Sequence, residues 1–106
     1  NGYVDDCHGY NHADDTGTDL VSSNWHGSHC GGTIAADSNN GVGVAGVAGG
    51  DGSENSGAKL MISVGFGDTA VKGFAEALTY GADMGAQISS NSWGYTGARR
   101  RIFERF

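Results

Sequence analysis

Lys59-Leu60-Met61-Ile62-Ser63-Val64, with Ala70 to Met84 and then Gln87-Ile88-Ser89-Ser90 downstream of it, is the stretch that decides the fold. Lys59–Val64 is short, apolar and bounded by glycine, which predicts a buried strand. Asp68 or Thr69 can cap a helix placed over Ala70–Met84. Val71, Phe74, Leu78 and Ala82 recur there at three- and four-residue steps and form one apolar stripe. Gln87–Ser90, centred on Ile88, predicts a second strand. Strand, helix, strand in this order is a βαβ unit, which favours parallel pairing and a right-handed crossover. The expected fold class is α/β with a mostly parallel sheet.

Upstream, a helix is expected over Gly27–Asp37, where Ile34, Ala35 and Ala36 make a compact apolar surface. Gly31 and Gly32 would each cost about 1 kcal/mol in an exposed helix, so a bare backbone there points to close approach of a neighbouring strand. Asn39-Asn40-Gly41 stops that helix in a turn, with Gly41 suited to positive φ. Val42–Ala48 alternates but is diluted by glycine, which predicts a short irregular strand or an extended loop, and residues 49–57 read as a polar loop. Residues 1–25 have no sustained period and read as an Asp/Gly-rich loop. The segment 97–106 places Ile102, Phe103 and Phe106 among arginines, as in a short amphipathic helix or a loose end.

Composition narrows the function classes. Glycine occurs 20 times and proline not at all in 106 residues, against average usage of about 7% and 5%. Glycine clusters suit tight loops and close backbone packing around a site. The net charge is −6, with acids crowding the first half and Arg99, Arg100, Arg101 and Arg105 the end. One terminal basic patch is not the broad basic face that nucleic acid requires. No apolar run reaches the roughly 18 residues of a membrane span. Cys7 and Cys30 permit one disulfide or two separate thiols.

The chemistry lies in Trp25-His26-Gly27-Ser28-His29-Cys30-Gly31-Gly32-Thr33-Ile34-Ala35-Ala36. His26 stands at a loop-to-helix junction, where it can present a ring nitrogen to a neighbouring hydroxyl. An imidazole exchanges protons near neutrality, and a serine hydroxyl needs such a base to become a nucleophile. A surface or structural histidine satisfies the spacing equally well. This run resembles the histidine segment H-G-T-H-x-A-G-T-I-A-A of the subtilisin-like serine peptidases. Ser28 stands where threonine is usual and Gly31 where alanine is usual; Thr33-Ile34-Ala35-Ala36 matches directly. Asn39–Ala48 resembles the family's N-x-x-G-V-x-G-V-A segment, and Lys59-Leu60-Met61 its next strand, from which Ile62–Phe66 departs. Gly81-Ala82-Asp83 and Asn91-Ser92-Trp93-Gly94 look like its G-A-x-V-I-N-x-S-W-G stretch. Asn1–Asp6 and Gly9-Tyr10-Asn11 resemble a segment between the catalytic aspartate and the histidine.

The resemblance implies part of a three-layer α/β/α subtilisin-like fold, incomplete here. It implies His26 as general base, His29 as structural, and Ser92, Trp93 and Gly94 as contacts to a polypeptide substrate. The D-S/T-G context of the catalytic aspartate is absent, so none of Asp5, Asp6, Asp14 or Asp15 is promoted to that role. The G-T-S segment of the nucleophile and the A-x-G-N oxyanion segment are absent too. The expectation is an internal piece of a serine endopeptidase, residues 1–106 being part of its catalytic domain and inactive alone. Its subdivisions are 1–25, the histidine segment and βαβ core at 26–96, and a divergent tail at 97–106. No cofactor is required for the chemistry; the family leaves room for structural Ca²⁺ and a propeptide in the longer protein, and implies secretion.

Two other readings stay open. Cys7, His8 and His12, with His26, His29 and Cys30, offer soft or borderline ligands for a metal-binding module, although their spacings match no common zinc finger. An acidic, glycine-rich, non-catalytic interaction domain is the other.

Overall fold

The computed structural model describes residues 2–21 and 24–94. Strand β1 (Gly9–Asn11) and strand β2 (Ile62–Val64) pair in parallel, with Gly9 opposite Ile62, Tyr10 opposite Ser63 and Asn11 opposite Val64. The ladder extends one bond at each end, Ile62 N–H to the His8 carbonyl at 3.0 Å and His12 N–H to the Val64 carbonyl at 2.9 Å. Parallel strands require a long crossover, and here it contains helix α1 (His26–Ala35). Helix α2 (Phe74–Asp83) follows β2. The order β1-α1-β2-α2 around a parallel pair is an α/β arrangement.

The parallel pairing is as expected, but the partner strand is not. Gln87–Ser90 lies in no strand, and β2 pairs instead with β1, inside the segment read as loop. Gly9 makes this pairing sterically feasible. Its φ is 138°, and a Cβ there would lie 1.9 Å from the Ile62 carbonyl oxygen. The Asp-rich stretch after β1 is equally ordered. Asn11 Oδ1 accepts the Ala13 and Asp14 N–H groups at 3.0 Å each, and Asn11 and Thr16 exchange both backbone bonds across the turn.

Helix α2 begins at Phe74 rather than Ala70, and neither expected cap serves it: the Thr69 hydroxyl is engaged elsewhere and the helix has no side-chain cap bond. The Thr69 hydroxyl and the Asp68 N–H both donate to the Asp14 carboxylate, and Gly73, in a left-handed conformation, precedes the first helical turn. The end of α1 is closed by the Val42–Ala48 segment, which is a loop with bends and a turn rather than a strand. Gly46, Val47 and Ala48 donate their N–H groups to the carbonyls of Ala36, Thr33 and Ile34 at 2.7–2.9 Å, satisfying acceptors that a helix C-terminus leaves open. Gly46 permits this, since a Cβ there would lie 2.5 Å from the Ala36 nitrogen. Gly31 faces Leu60, as close approach requires; Gly32 has open space beside it. Gly41 takes the expected positive φ, 71°.

Burial centres on aromatic rings rather than on the predicted stripe. Tyr80, Tyr10, Ala13, Asn11 and His12 are buried, with Tyr3 edge-on to Tyr10, His12 and Tyr80. Ile62 and Ser63 of β2 are exposed, against the expectation of a buried strand. Val71 and Leu78 of the helical stripe are exposed as well. Cys7 and Cys30 are separate thiols. The arginine-rich tail 97–106 lies outside the described residues.

Candidate functional site

His26 is the first residue of α1. Its N–H, one of the donors a helix start leaves without a partner, is accepted by Asn24 Oδ1 at 3.0 Å. The sequence anticipated a loop-to-helix junction here, and the side chain is exposed at that junction. One turn on, Cys30 Sγ lies 3.8 Å from Nε2 and 4.0 Å from Nδ1. Among the described residues no carboxylate bonds either ring nitrogen. His29 turns away from this face: its ring meets Trp25 edge-on at 5.9 Å, and its carbonyl accepts the Thr33 hydroxyl at 3.0 Å.

The acidic residues of the first segment are engaged in holding the fold. Asp6 accepts the Tyr80 hydroxyl at 3.2 Å and Asp15 the Tyr10 hydroxyl at 2.8 Å. That bond to Asp15, with burial, raises the Tyr10 phenol above its ordinary value. Asp14 ties two loops by accepting from Thr69, Asn11 and Asp68. The Thr69 bond foremost holds its carboxyl below the usual carboxylate range. No three His, Cys, Asp or Glu side chains converge as a metal site among the described residues, so neither proposed ligand cluster assembles there.

A cleft of about 350 Å³ opens between α2 and the segment after it, lined by Phe74, Leu78, Ala82, Ile88, Asn91 and Trp93 among others. The predicted stripe of α2 therefore lines a cleft. Trp93, 45% exposed, stacks at 4.5 Å on Phe74 and meets Phe66 at 6.2 Å. Its indole N–H donates to Asn91 Oδ1 at 3.3 Å, and the Asn91 amide donates to Ser89 Oγ at 3.0 Å. Ser92 and Gly94 are exposed. Residues 87–94 make no backbone–backbone hydrogen bond among the described residues.

The sequence model of the Subtilase family, peptidase S8, matches residues 2–104. The chain belongs to the subtilase family. Among its relatives, the extracellular basic protease of Dichelobacter nodosus is 60% identical over 43 residues, 41% of this chain and 7% of that protein. Subtilisin-like protease 1 of Plasmodium vivax is 47% identical over 49 residues, 46% of this chain and 8% of that protein. Fervidolysin of Fervidobacterium pennivorans is 35% identical over 99 residues, 85% of this chain and 13% of that protein. The chain thus spans a small fraction of these relatives' lengths. No solved structure gives a significant match.

In this subtilase chain the two sets of candidate residues occupy different elements. No hydrogen bond or ring contact joins His26 to Ser92, Trp93 or Gly94 among the described residues. Phe66 and Phe74 were missed as lining residues of the Trp93 site. The signal lay in Phe74, a large aromatic on a stripe whose neighbours Ala77, Gly81 and Ala82 are too small to close a core against it. No described helix is long and apolar enough to cross a membrane.

Proposed function

We propose that this chain is the general-base portion of a serine endopeptidase. His26 withdraws the proton from a seryl hydroxyl as that oxygen attacks a peptide carbonyl, then returns it to the leaving amine. The nucleophilic serine, its oxyanion donors and the carboxylate that orients His26 belong to polypeptide outside these 106 residues, so the chain alone does not hydrolyse peptides. The observation that carries this reading is the exposed His26 imidazole at the start of α1, in a run that resembles the family's histidine segment and within the matched residues 2–104.

Substrate binding falls to Ser92, Trp93 and Gly94. Their support is a backbone without backbone–backbone hydrogen bonds among the described residues, beside the aromatic cleft, with which a polypeptide can pair. The chemistry needs no cofactor. Structural Ca²⁺ and a propeptide belong, where present, to the longer protein, and secretion is in keeping with the relative named an extracellular protease.

The test is made on the longer polypeptide that contains this sequence. A serine-directed phosphonate labels it, and His26→Ala reduces labelling and peptide hydrolysis by a factor on the order of 10⁶, the loss a subtilisin itself suffers without its triad histidine. Undiminished labelling of the His26→Ala protein would overturn the assignment.

A further inference from the structure

The sequence offered His12 only as a metal ligand, and the fold gives it a different setting. The residue is 8% exposed and follows β1 directly. Its ring makes T-shaped contacts with Tyr10 at 5.2 Å, Tyr80 at 5.3 Å and Tyr3 at 5.8 Å. On the α2 side its Cβ and carbonyl press on Gly73, where even a methyl group would lie 2.5 Å from that Cβ. The imidazole thus joins the N-terminal strand to the second helix. Its Nε2 is buried and has no hydrogen-bond partner among the described residues.

We propose that His12 is an acid-sensitive clasp: neutral, it holds β1 to α2, and protonation releases the N-terminal segment from the helix. An imidazolium at this position would bring a proton that no described neighbour accepts into a buried box of aromatic rings, where the charge loses its water.

The charged groups around the box pull the other way but weakly. From the β1 side these are Asp15, exposed and already accepting the Tyr10 hydroxyl, and the phenols of Tyr3 and Tyr10. From α2 they are Glu76, exposed, and Tyr80, whose hydroxyl bonds Asp6. Burial outweighs the attraction of Glu76 and Asp15, so the imidazole titrates below its ordinary 6.5.

The sign follows from linkage. The unfolded chain binds the proton more readily, so His12 contributes its full packing above pH 6.5. That contribution falls as the pH drops through the window between 6.5 and the lowered native value. One proton bound on release lowers the folding constant by up to tenfold per pH unit there.

The test is a histidine-resolved NMR titration of the 106-residue chain, with near-UV circular dichroism of the tyrosine cluster followed in parallel. The His12 resonance titrates below 6.5, and the tyrosine signal is lost together with it. His12→Phe, which keeps a ring but removes the basic nitrogen, moves loss of that signal to lower pH, while His29→Gln at the exposed histidine leaves it where it was. An imidazole that titrates at 6.5 or above overturns the clasp, and so does a His12→Phe chain with an unchanged acid midpoint. Should His12→Phe fail to fold, the titration of the unaltered chain decides alone. The result is independent of peptidase activity.

Discussion

Tyr80 shows how much of this fold rests on single side chains. It is 2% exposed, it meets Tyr3, Tyr10 and His12, and its hydroxyl reaches Asp6, 74 residues away in sequence. Tyr80→Phe keeps the ring and loses one hydrogen bond, a cost of about 1 kcal/mol. Tyr80→Ala empties the centre of the cluster and costs about 3–5 kcal/mol. Urea denaturation separates the two, and equal effects would mean that the ring does not pack as described. Asp51 works at the same scale without burial. The Ser53 hydroxyl and N–H both donate to its carboxylate, at 2.6 and 2.9 Å, and hold it down at about 2. Its contribution to the 51–56 turn is complete above the ordinary 3.8 and is lost as the pH falls through about 2. The Ser53 amide resonance should therefore move below pH 3.8, and Asp51→Asn should remove that movement.

Among the elements, the β1–β2 ladder depends on the missing side chain of Gly9. Gly9→Ala places a methyl group on the Ile62 carbonyl and forces a left-handed backbone on alanine. A cost of about 1–3 kcal/mol follows from overpacking. Hydrogen exchange should report it as faster exchange at the Ile62 and His12 amides, with α1 unaffected; protected amides in the variant would refute the pairing. This ladder also marks where the sequence stopped being readable. Gly9-Tyr10-Asn11 is three residues of no clear period among Asp, His and Gly, and it is a strand only because Ile62–Val64 lies beside it. Gln87–Ser90 fails in the converse way: Ile88 gives it strand character, but among the described residues no neighbour completes a ladder. Helix α1 was legible in place and type, since Ile34-Ala35-Ala36 is a local signal, but it runs His26–Ala35 rather than Gly27–Asp37 and ends at Ala36, ahead of the Asn39-Asn40-Gly41 turn. The start of α2 was not legible, because the Thr69 hydroxyl and the Asp68 N–H are tied to Asp14, 55 and 54 residues away. In the candidate site, the loop-to-helix position of His26 could be read locally, whereas the aromatic trio around Trp93 depends on folding.

At the scale of the whole molecule the balance of surfaces sets the behaviour. A folded monomer of this mass exposes about 5,500 Å², and this chain exposes 8422 Å². Its radius of gyration is 15.4 Å, against about 13 Å for a domain of this length. Large apolar side chains share in that exposure: Val47, Ile88, Val42, Val44 and Trp25 are each more than 70% exposed, and Phe66, Leu78 and Trp93 lie open around the cleft. Burial on folding is what gives urea its leverage, because the slope of stability against denaturant scales with the area exposed on unfolding. The 106-residue chain should therefore unfold with a slope near or below about 1 kcal/mol/M, the bottom of the range for small domains. It should also bind a hydrophobic dye before any denaturant is added. A polypeptide that carries this chain within the proposed complete peptidase domain should show a steeper slope and quench-protected Trp93, because a domain of greater mass buries a larger share of its surface. Both measurements bear on the same balance of areas. A steep, dye-free transition in the isolated 106 residues would mean that the open face closes on itself, and that the cleft is not available to a polypeptide.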